Sequence, residues 1–281
     1  MSSSQIHQQM AETKQLVLVV EGTDALRPYW PTIVSTYLEK VIRSFCGNDN
    51  QKVLAFVLFN AHGTRNSVFF FFLSNTSSLQ FSSNLPSVLD AAFVIVRSSW
   101  TNNVETFMQW LNAINFSSTL SSGAAIAEGL GEALMMFPYE NRVQNQGNHC
   151  ILVAASNPHP HPTPVYTPPC YIPPHFKAMQ PGTVLCDAET VAKSFPMSFV
   201  SLSVISPRRI PKLEAIYNAA KGLLPETGRT IRIVTNPDNL VLISEHFNEA
   251  LAALSQTETT KVPPNTSPEV VDLTGDSSSD S

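Results

Sequence analysis

Short apolar runs rich in β-branched and aromatic side chains recur at residues 16–20, 53–59, 92–96, 150–155, 199–205 and 230–234. Such runs suit strands buried on both faces of a parallel sheet. Between them, apolar residues return at helical spacing. Ile33, Val34, Tyr37, Leu38, Val41, Ile42 and Phe45 mark one face of a helix over 31–45, with Pro31 in its first turn and Gly47-Asn48 as its stop. Val104, Phe107, Met108 and Leu111 mark a second, capped by Thr101 or Asn102 and running to Ile114. Residues 124–137 predict a third, closed by Pro138, and 187–195 a short one capped by Asp187. Leu213, Ile216, Tyr217 and Ala220 face inward from a helix over 211–223, and Asp238 caps a last helix ending near residue 254.

Strand and helix alternate, so the expected fold is α/β: a mostly parallel sheet with helices on both faces. One connection breaks the rule. No helical pattern separates 53–59 from 92–96, so the second of these is expected as an antiparallel edge strand. Residues 159–174 are dense in proline, which predicts an extended loop outside any ladder.

Composition narrows the function classes. Only 14% of the 281 residues are charged and 43% are hydrophobic, enough for one large domain with tails. The formal net charge is −5, and from Glu269 onward Glu269, Asp272, Asp276 and Asp280 stand without a base. No basic cluster points to nucleic acid. No run approaches the ~18 apolar residues of a membrane span. Cys46, Cys150, Cys170 and Cys186 are scattered without a CxxC spacing, and residues 1–14 are polar and Ser/Gln-rich, so free thiols in a reducing compartment are expected.

In open α/β sheets, ligands sit beyond the carboxyl ends of the strands. The first run, Leu16-Val17-Leu18-Val19-Val20, passes directly into Glu21-Gly22-Thr23-Asp24-Ala25. That loop is the first place to look for chemistry. No GxSxG, Walker, HExxH or kinase signature accompanies it, so no enzyme is expected. Glu128, Glu132 and Glu140 read as the solvated face of a helix and its exit.

Several stretches carry a resemblance. Val19-Val20-Glu21-Gly22-Thr23-Asp24-Ala25-Leu26-Arg27-Pro28-Tyr29-Trp30 resembles the opening of the von Willebrand factor A-type domain of the Mediator subunit 25 family, in its plant form. Ala124-Ala125-Ile126-Ala127-Glu128-Gly129-Leu130-Gly131-Glu132-Ala133-Leu134 and His149-Cys150-Ile151-Leu152-Val153-Ala154-Ala155-Ser156-Asn157-Pro158 continue it, as do Pro162-Thr163-Pro164-Val165-Tyr166 and Leu202-Ser203-Val204-Ile205-Ser206-Pro207. The similarity runs over roughly residues 15–222. It implies a three-layer, Rossmann-like A-type domain over 15–254, a nuclear location, and a non-enzymatic coregulator that docks to the Mediator complex. Nothing up to Ser281 resembles that family's activator-binding domain, so a competitor for docking or a truncated copy is expected rather than a bridge. Residues 68–90, which open on Val68-Phe69-Phe70-Phe71-Phe72-Leu73, have no counterpart in the family and are read as an insertion. Translated intron and a surface loop folded onto the core both stand as readings of it.

Metal-binding A-type domains use an Asp-x-Ser-x-Ser loop, a Thr from a second loop and an Asp after the fourth core strand. Here the first loop reads Glu21-x-Thr23-x-Ala25, and Ser156-Asn157 stand where the last acid is expected. Too few hard oxygen donors remain for a divalent cation. A degenerate site kept as loop scaffold, with no metal or other cofactor, is therefore expected. The runner-up readings are a metal-dependent adhesion-type receptor and a hydrolase; a cluster of His, Glu and Ser in one deep pocket would favour the latter. His159, His161, Cys170 and His175 could suggest zinc, but alternating prolines splay the imidazoles, so a polar surface loop is expected.

Residues 255–281 have the composition of a disordered acidic tail. Within it, Val270-Val271-Asp272-Leu273 and the acids after them resemble a SUMO-interacting motif. Such a segment can add as a strand to an exposed sheet edge, with its acids meeting basic residues beside the groove.

Overall fold

The computed structural model describes residues 13–47, 49, 51–61, 95–117, 123–137, 147–167, 182–221, 231–233 and 237–255. Its strands are β1 (Lys14–Glu21), β2 (Lys52–Phe59), β3 (Ile95–Arg97), β4 (Asn148–Val153), β5 (Thr163–Thr167), β6 (Gly182–Cys186), β7 (Val200–Ser206), β8 (Ile231–Arg232) and β9 (Leu240–Ile243). Seven of them make one sheet in the order β3-β2-β1-β4-β7-β9-β8. β2, β1, β4 and β7 are mutually parallel. β3 runs antiparallel to β2 at the edge, as expected from the lack of a helical pattern between the two runs in the sequence.

The helices cover both faces. α1 is a continuous rod: a 3₁₀ turn (Arg27–Tyr29), an α turn (Trp30–Ile33), a π segment (Val34–Leu38) and a final α segment (Glu39–Cys46). α2 (Val104–Asn112), α3 (Ile126–Met136), α4 (Ala188–Ala192), α5 (Ser194–Met197), α6 (Pro211–Ala219) and α7 (Asn248–Ser255) follow. Because successive side chains of a strand point to opposite faces, Leu16, Leu18 and Val20 of β1 pack with α1, α2 and α7. Val17 and Val19 pack with α3, α4 and α6. This is the three-layer arrangement expected, with β1 wholly buried beyond Lys14.

Three local expectations need correction. Asn103, not Thr101 or Asn102, caps α2: its Oδ1 accepts the Thr106 N–H at 2.8 Å. Residues 240–243, expected inside a helix capped by Asp238, form β9, antiparallel to β7. Leu240-Val241-Leu242-Ile243 has no polar face to show solvent, and its four residues are buried; β7 beside it would otherwise leave a row of backbone groups without a ladder partner. The helix begins only at Asn248. Finally, part of the proline-rich stretch does enter a ladder, because Thr163–Thr167 pairs with Gly182–Cys186. In a two-stranded pair alternate N–H groups face away from the partner, which leaves room for a proline.

The β5–β6 pair lies against α3 so closely that a Cβ on Gly131 would stand 2.3 Å from Val165 Cγ1. Cys46, Cys150 and Cys186 are buried free thiols. Burial pushes each of these thiols up from its ordinary pKa. Among the described residues no helix is long and apolar enough to cross a membrane. The 1–12 segment, residues 68–90, Cys170, His175, Glu140 and residues 256–281 lie outside the described residues, and with them the readings placed there.

Candidate functional site

β1 ends at Glu21, in register with Phe59 of β2 and one position past the pairing of Val20 with Val153 of β4. That register sets the Glu21 side chain beneath the loop that leaves β4. Gly22 lets the chain turn there: a Cβ would meet Asn60 Oδ1 at 2.7 Å, while the Gly22 N–H donates to Phe59 O at 2.7 Å. The next loop is stitched to its neighbours. Ser117 N–H donates to Gly22 O at 2.8 Å and Asp24 N–H to Ser117 O at 3.0 Å. Ala125 N–H donates to Asn60 O and Ala124 N–H to Asn157 O, tying the start of α3 to two strand exits.

Glu21 is fully buried. Its carboxylate takes four donors. The Thr23 hydroxyl donates to Oε1, and the Ser156 hydroxyl donates to the same oxygen at 2.5 Å. The Ala155 and Ser156 N–H groups donate to Oε2 at 2.7 and 3.0 Å. A buried carboxylate is tolerated only when its lone pairs are filled in this way. The acid therefore clamps the loop after β1 to the loop after β4.

Three of the five predicted residues bring their side chains together. Glu21, Thr23 and Ser156 meet at one point, with each hydroxyl turned toward the carboxylate. Ala25 adds only a backbone N–H, donated to Thr23 Oγ1 at 3.3 Å, and the Asn157 carbonyl accepts from Ala124. Hard divalent cations need several oxygen lone pairs facing one centre. Here four donors fill the lone pairs of the single acid, Glu21, and Ala25 supplies no side-chain oxygen, so the residues present do not fit such an ion. Among the described residues no group of three His, Cys, Asp or Glu side chains is placed to hold a metal. Asp24 points elsewhere, to Arg27 at 2.7 Å. The His159 and His161 rings stand 5.8 Å apart at 65°, and the His161 N–H donates to His159 Nδ1 at 3.3 Å.

A Ser, His and Glu do gather, at the opposite end of the sheet. His149 Nδ1 lies 2.6 Å from Ser201 Oγ, and Glu249 acts on the imidazole electrostatically. The His149 ring is stacked on Phe247, with centroids 3.9 Å apart, and is 2% exposed. A base sealed in this way has no path to a substrate, and Glu249 is drawn to Lys14 and Lys52 instead. Glu132 bonds Arg97 at 2.8 Å on the surface, whereas Glu128, expected on a solvated face, is half-buried in the first turn of α3.

Sequence reasoning missed Tyr29 and Arg208. Arg208 leaves β7 at the same edge of the sheet, its Nη2 donating to Ala155 O at 2.9 Å, the residue whose N–H binds Glu21. Its guanidinium carbon lies 5.9 Å from the Tyr29 ring centroid. The signal was Pro207-Arg208-Arg209 directly after a buried strand, at the end where loops carry function.

With this geometry in place, comparison with known proteins gives the following. The family profile described as Mediator complex subunit 25 von Willebrand factor type A matches residues 86–246. Mediator of RNA polymerase II transcription subunit 25 of Solanum lycopersicum is 42% identical over 274 residues, spanning 92% of this chain and 31% of that protein. The Arabidopsis thaliana protein of the same name is 41% identical, spanning 93% and 30%. The Homo sapiens one is 23% identical, spanning 81% and 28%. The chain thus spans about three-tenths of the length of these relatives.

Proposed function

The chain belongs to the Mediator complex subunit 25 family, and from that premise we propose that it is a nuclear, non-enzymatic transcription coregulator that docks to the Mediator complex. The observation that carries this reading is the family match over 86–246, extended by the plant relatives across more than nine-tenths of the chain. The domain is an A-type unit over residues 15–254 followed by an acidic tail. Its clamp of Glu21, Thr23 and Ser156 favours recognition by protein surface alone: both Glu21 oxygens, the only acid oxygens there, already accept hydrogen bonds. A protein whose loop edge is internally satisfied offers shape and side chains to a partner rather than an open coordination position.

The test is affinity purification of the tagged full chain followed by mass spectrometry, run with and without residues 262–281. Mediator subunits are expected in both samples, and their absence from both removes the docking assignment. For the tail, we propose that Val270, Val271, Asp272 and Leu273 add as a strand to the sheet edge of SUMO. Titration with purified SUMO is expected to give binding that Val271→Ala/Leu273→Ala weakens by roughly tenfold or more. Equal binding by that variant would leave the tail a solubilising segment.

A further inference from the structure

Arginines elsewhere on the described surface are matched with acids. Arg27 reaches Asp24, Arg43 reaches Glu39 and Glu105, and Arg97 reaches Glu132, each at 2.9 Å or less. Arg208 and Arg209 are the contrast: both are exposed, and neither forms an ion pair among the described residues. They stand at the carboxyl edge of the sheet. The acids around them are committed elsewhere. Glu21 is buried beneath Ala155 with four donors, Asp24 holds Arg27, and Asp238, in the turn entering β9 beside Ser206, makes no ion pair with either arginine.

Arg208 is also held in position. The Arg208 N–H donates to Ser206 Oγ at 3.3 Å, which fixes the backbone, and one arm of the guanidinium donates to Ala155 O. A guanidinium has five donors in a planar fork. The remaining donors meet no acceptor among the described residues. The Tyr29 ring, 38% exposed, forms a wall 5.9 Å from the fork. An arginine anchored at one arm loses little freedom when the other side binds, and its plane matches a carboxylate at two points. Arginine and tyrosine at such positions supply a large share of the affinity in protein interfaces.

We propose that Arg208, with Arg209 beside it and Tyr29 as its wall, captures a carboxylate-bearing segment of the protein partner at this edge of the sheet. The inference rests on the docking reading above and names the chemistry of its partner: an acidic peptide segment presenting Asp or Glu to the fork. Lysine in place of Arg208 keeps the charge and loses the two-point match, so a conservative replacement is expected to fall between the native protein and alanine.

The experiment measures binding of the full chain to purified Mediator lacking its own subunit 25, by biolayer interferometry. Arg208→Ala/Arg209→Ala is expected to weaken binding by roughly 30-fold, and Arg208→Lys/Arg209→Lys by less. Arg43→Ala/Arg97→Ala, on matched arginines elsewhere, is expected to bind as the native chain does. Melting curves within about 2 °C of native show that the variants are folded, and Arg209→Ala alone, which removes no side-chain hydrogen bond among the described residues, covers the case in which they are not. A short polyglutamate peptide competes for the site, and polyglutamine of the same length does not. Native binding undiminished in both Arg208→Ala/Arg209→Ala and Arg209→Ala overturns the inference and leaves docking intact. A native chain that binds no Mediator removes the docking reading and this one with it. Competition by a phosphoserine peptide but not by polyglutamate overturns the carboxylate assignment.

Discussion

Replacing Glu21 by alanine lowers the melting temperature by about 10 °C. The carboxylate is fully buried and takes two hydroxyl and two backbone N–H donors from three residues on two loops. Its removal leaves buried amides without acceptors, and the cavity is too polar to close well. Breaking a buried charged network of this kind costs about 3–5 kcal/mol, and each kcal/mol moves the midpoint by roughly 2–4 °C in a domain of this size. Glu21→Gln is expected to lose less, since one carbonyl oxygen remains while an NH2 group faces donors. Millimolar Mn²⁺ is expected to leave the native midpoint unchanged. An ion that bound the folded state would raise it by linkage. A rise in the native protein that disappears in Glu21→Ala would therefore reverse the reading of this loop as a clamp.

Acid weakens the fold through His149. The ring lies between Phe247 and Phe45, its Nδ1 meets Ser201 Oγ, and burial pushes its pKa from 6.5 down to about 4. Glu249 pulls the other way, while Lys14, His246 and Lys52 add to the depression. The unfolded chain takes up this proton near pH 6.5 and the folded chain only near pH 4. Stability from this group is therefore complete above pH 6.5, falls between the two values and levels off below the lower one, a loss of about 3 kcal/mol. Glu249 acts in the same direction. Burial alone would raise its pKa, but its own backbone hydrogen bond, His149 and the two lysines hold it below the usual carboxylate range, so its share is also lost on acidification. Urea unfolding at a series of pH values measures the effect. His149→Gln, neutral throughout, is expected to flatten the curve between pH 6.5 and 4, and an unchanged slope in that variant would exclude His149 as its source.

These two buried groups differ in how far the chain announced them. Glu21 was visible because an acid directly after Leu16-Val17-Leu18-Val19-Val20 falls at the carboxyl end of a central strand, where function concentrates. Ser156 and Asn157 were visible for the same reason after β4. What a linear reading did not reveal is which donors turn toward the carboxylate. That depends on the β1–β4 register, which sets the Ala155 and Ser156 N–H groups on Oε2. His149 carried no signal, because a histidine opening an apolar run looks alike whether it meets solvent or Phe247. The role of Arg208 is not legible locally, since its partner, the carbonyl of Ala155, is set by the sheet and lies 53 positions away.

The apolar runs and helical spacings determined by themselves the layers of this protein: buried parallel strands, an antiparallel edge strand read at 92–96 and seen at Ile95–Arg97, and helices on both sides. They suffice because burial of a strand or a helix face is written in the period of its own side chains. Only the tertiary structure decided that residues 240–243 join the sheet, that part of the proline stretch pairs with Gly182–Cys186, and that Glu21 serves as a clamp. Each of those outcomes rests on a backbone donor or acceptor supplied from far along the chain, and hydrogen-bond partners at a distance leave no periodic trace in the residues they bind.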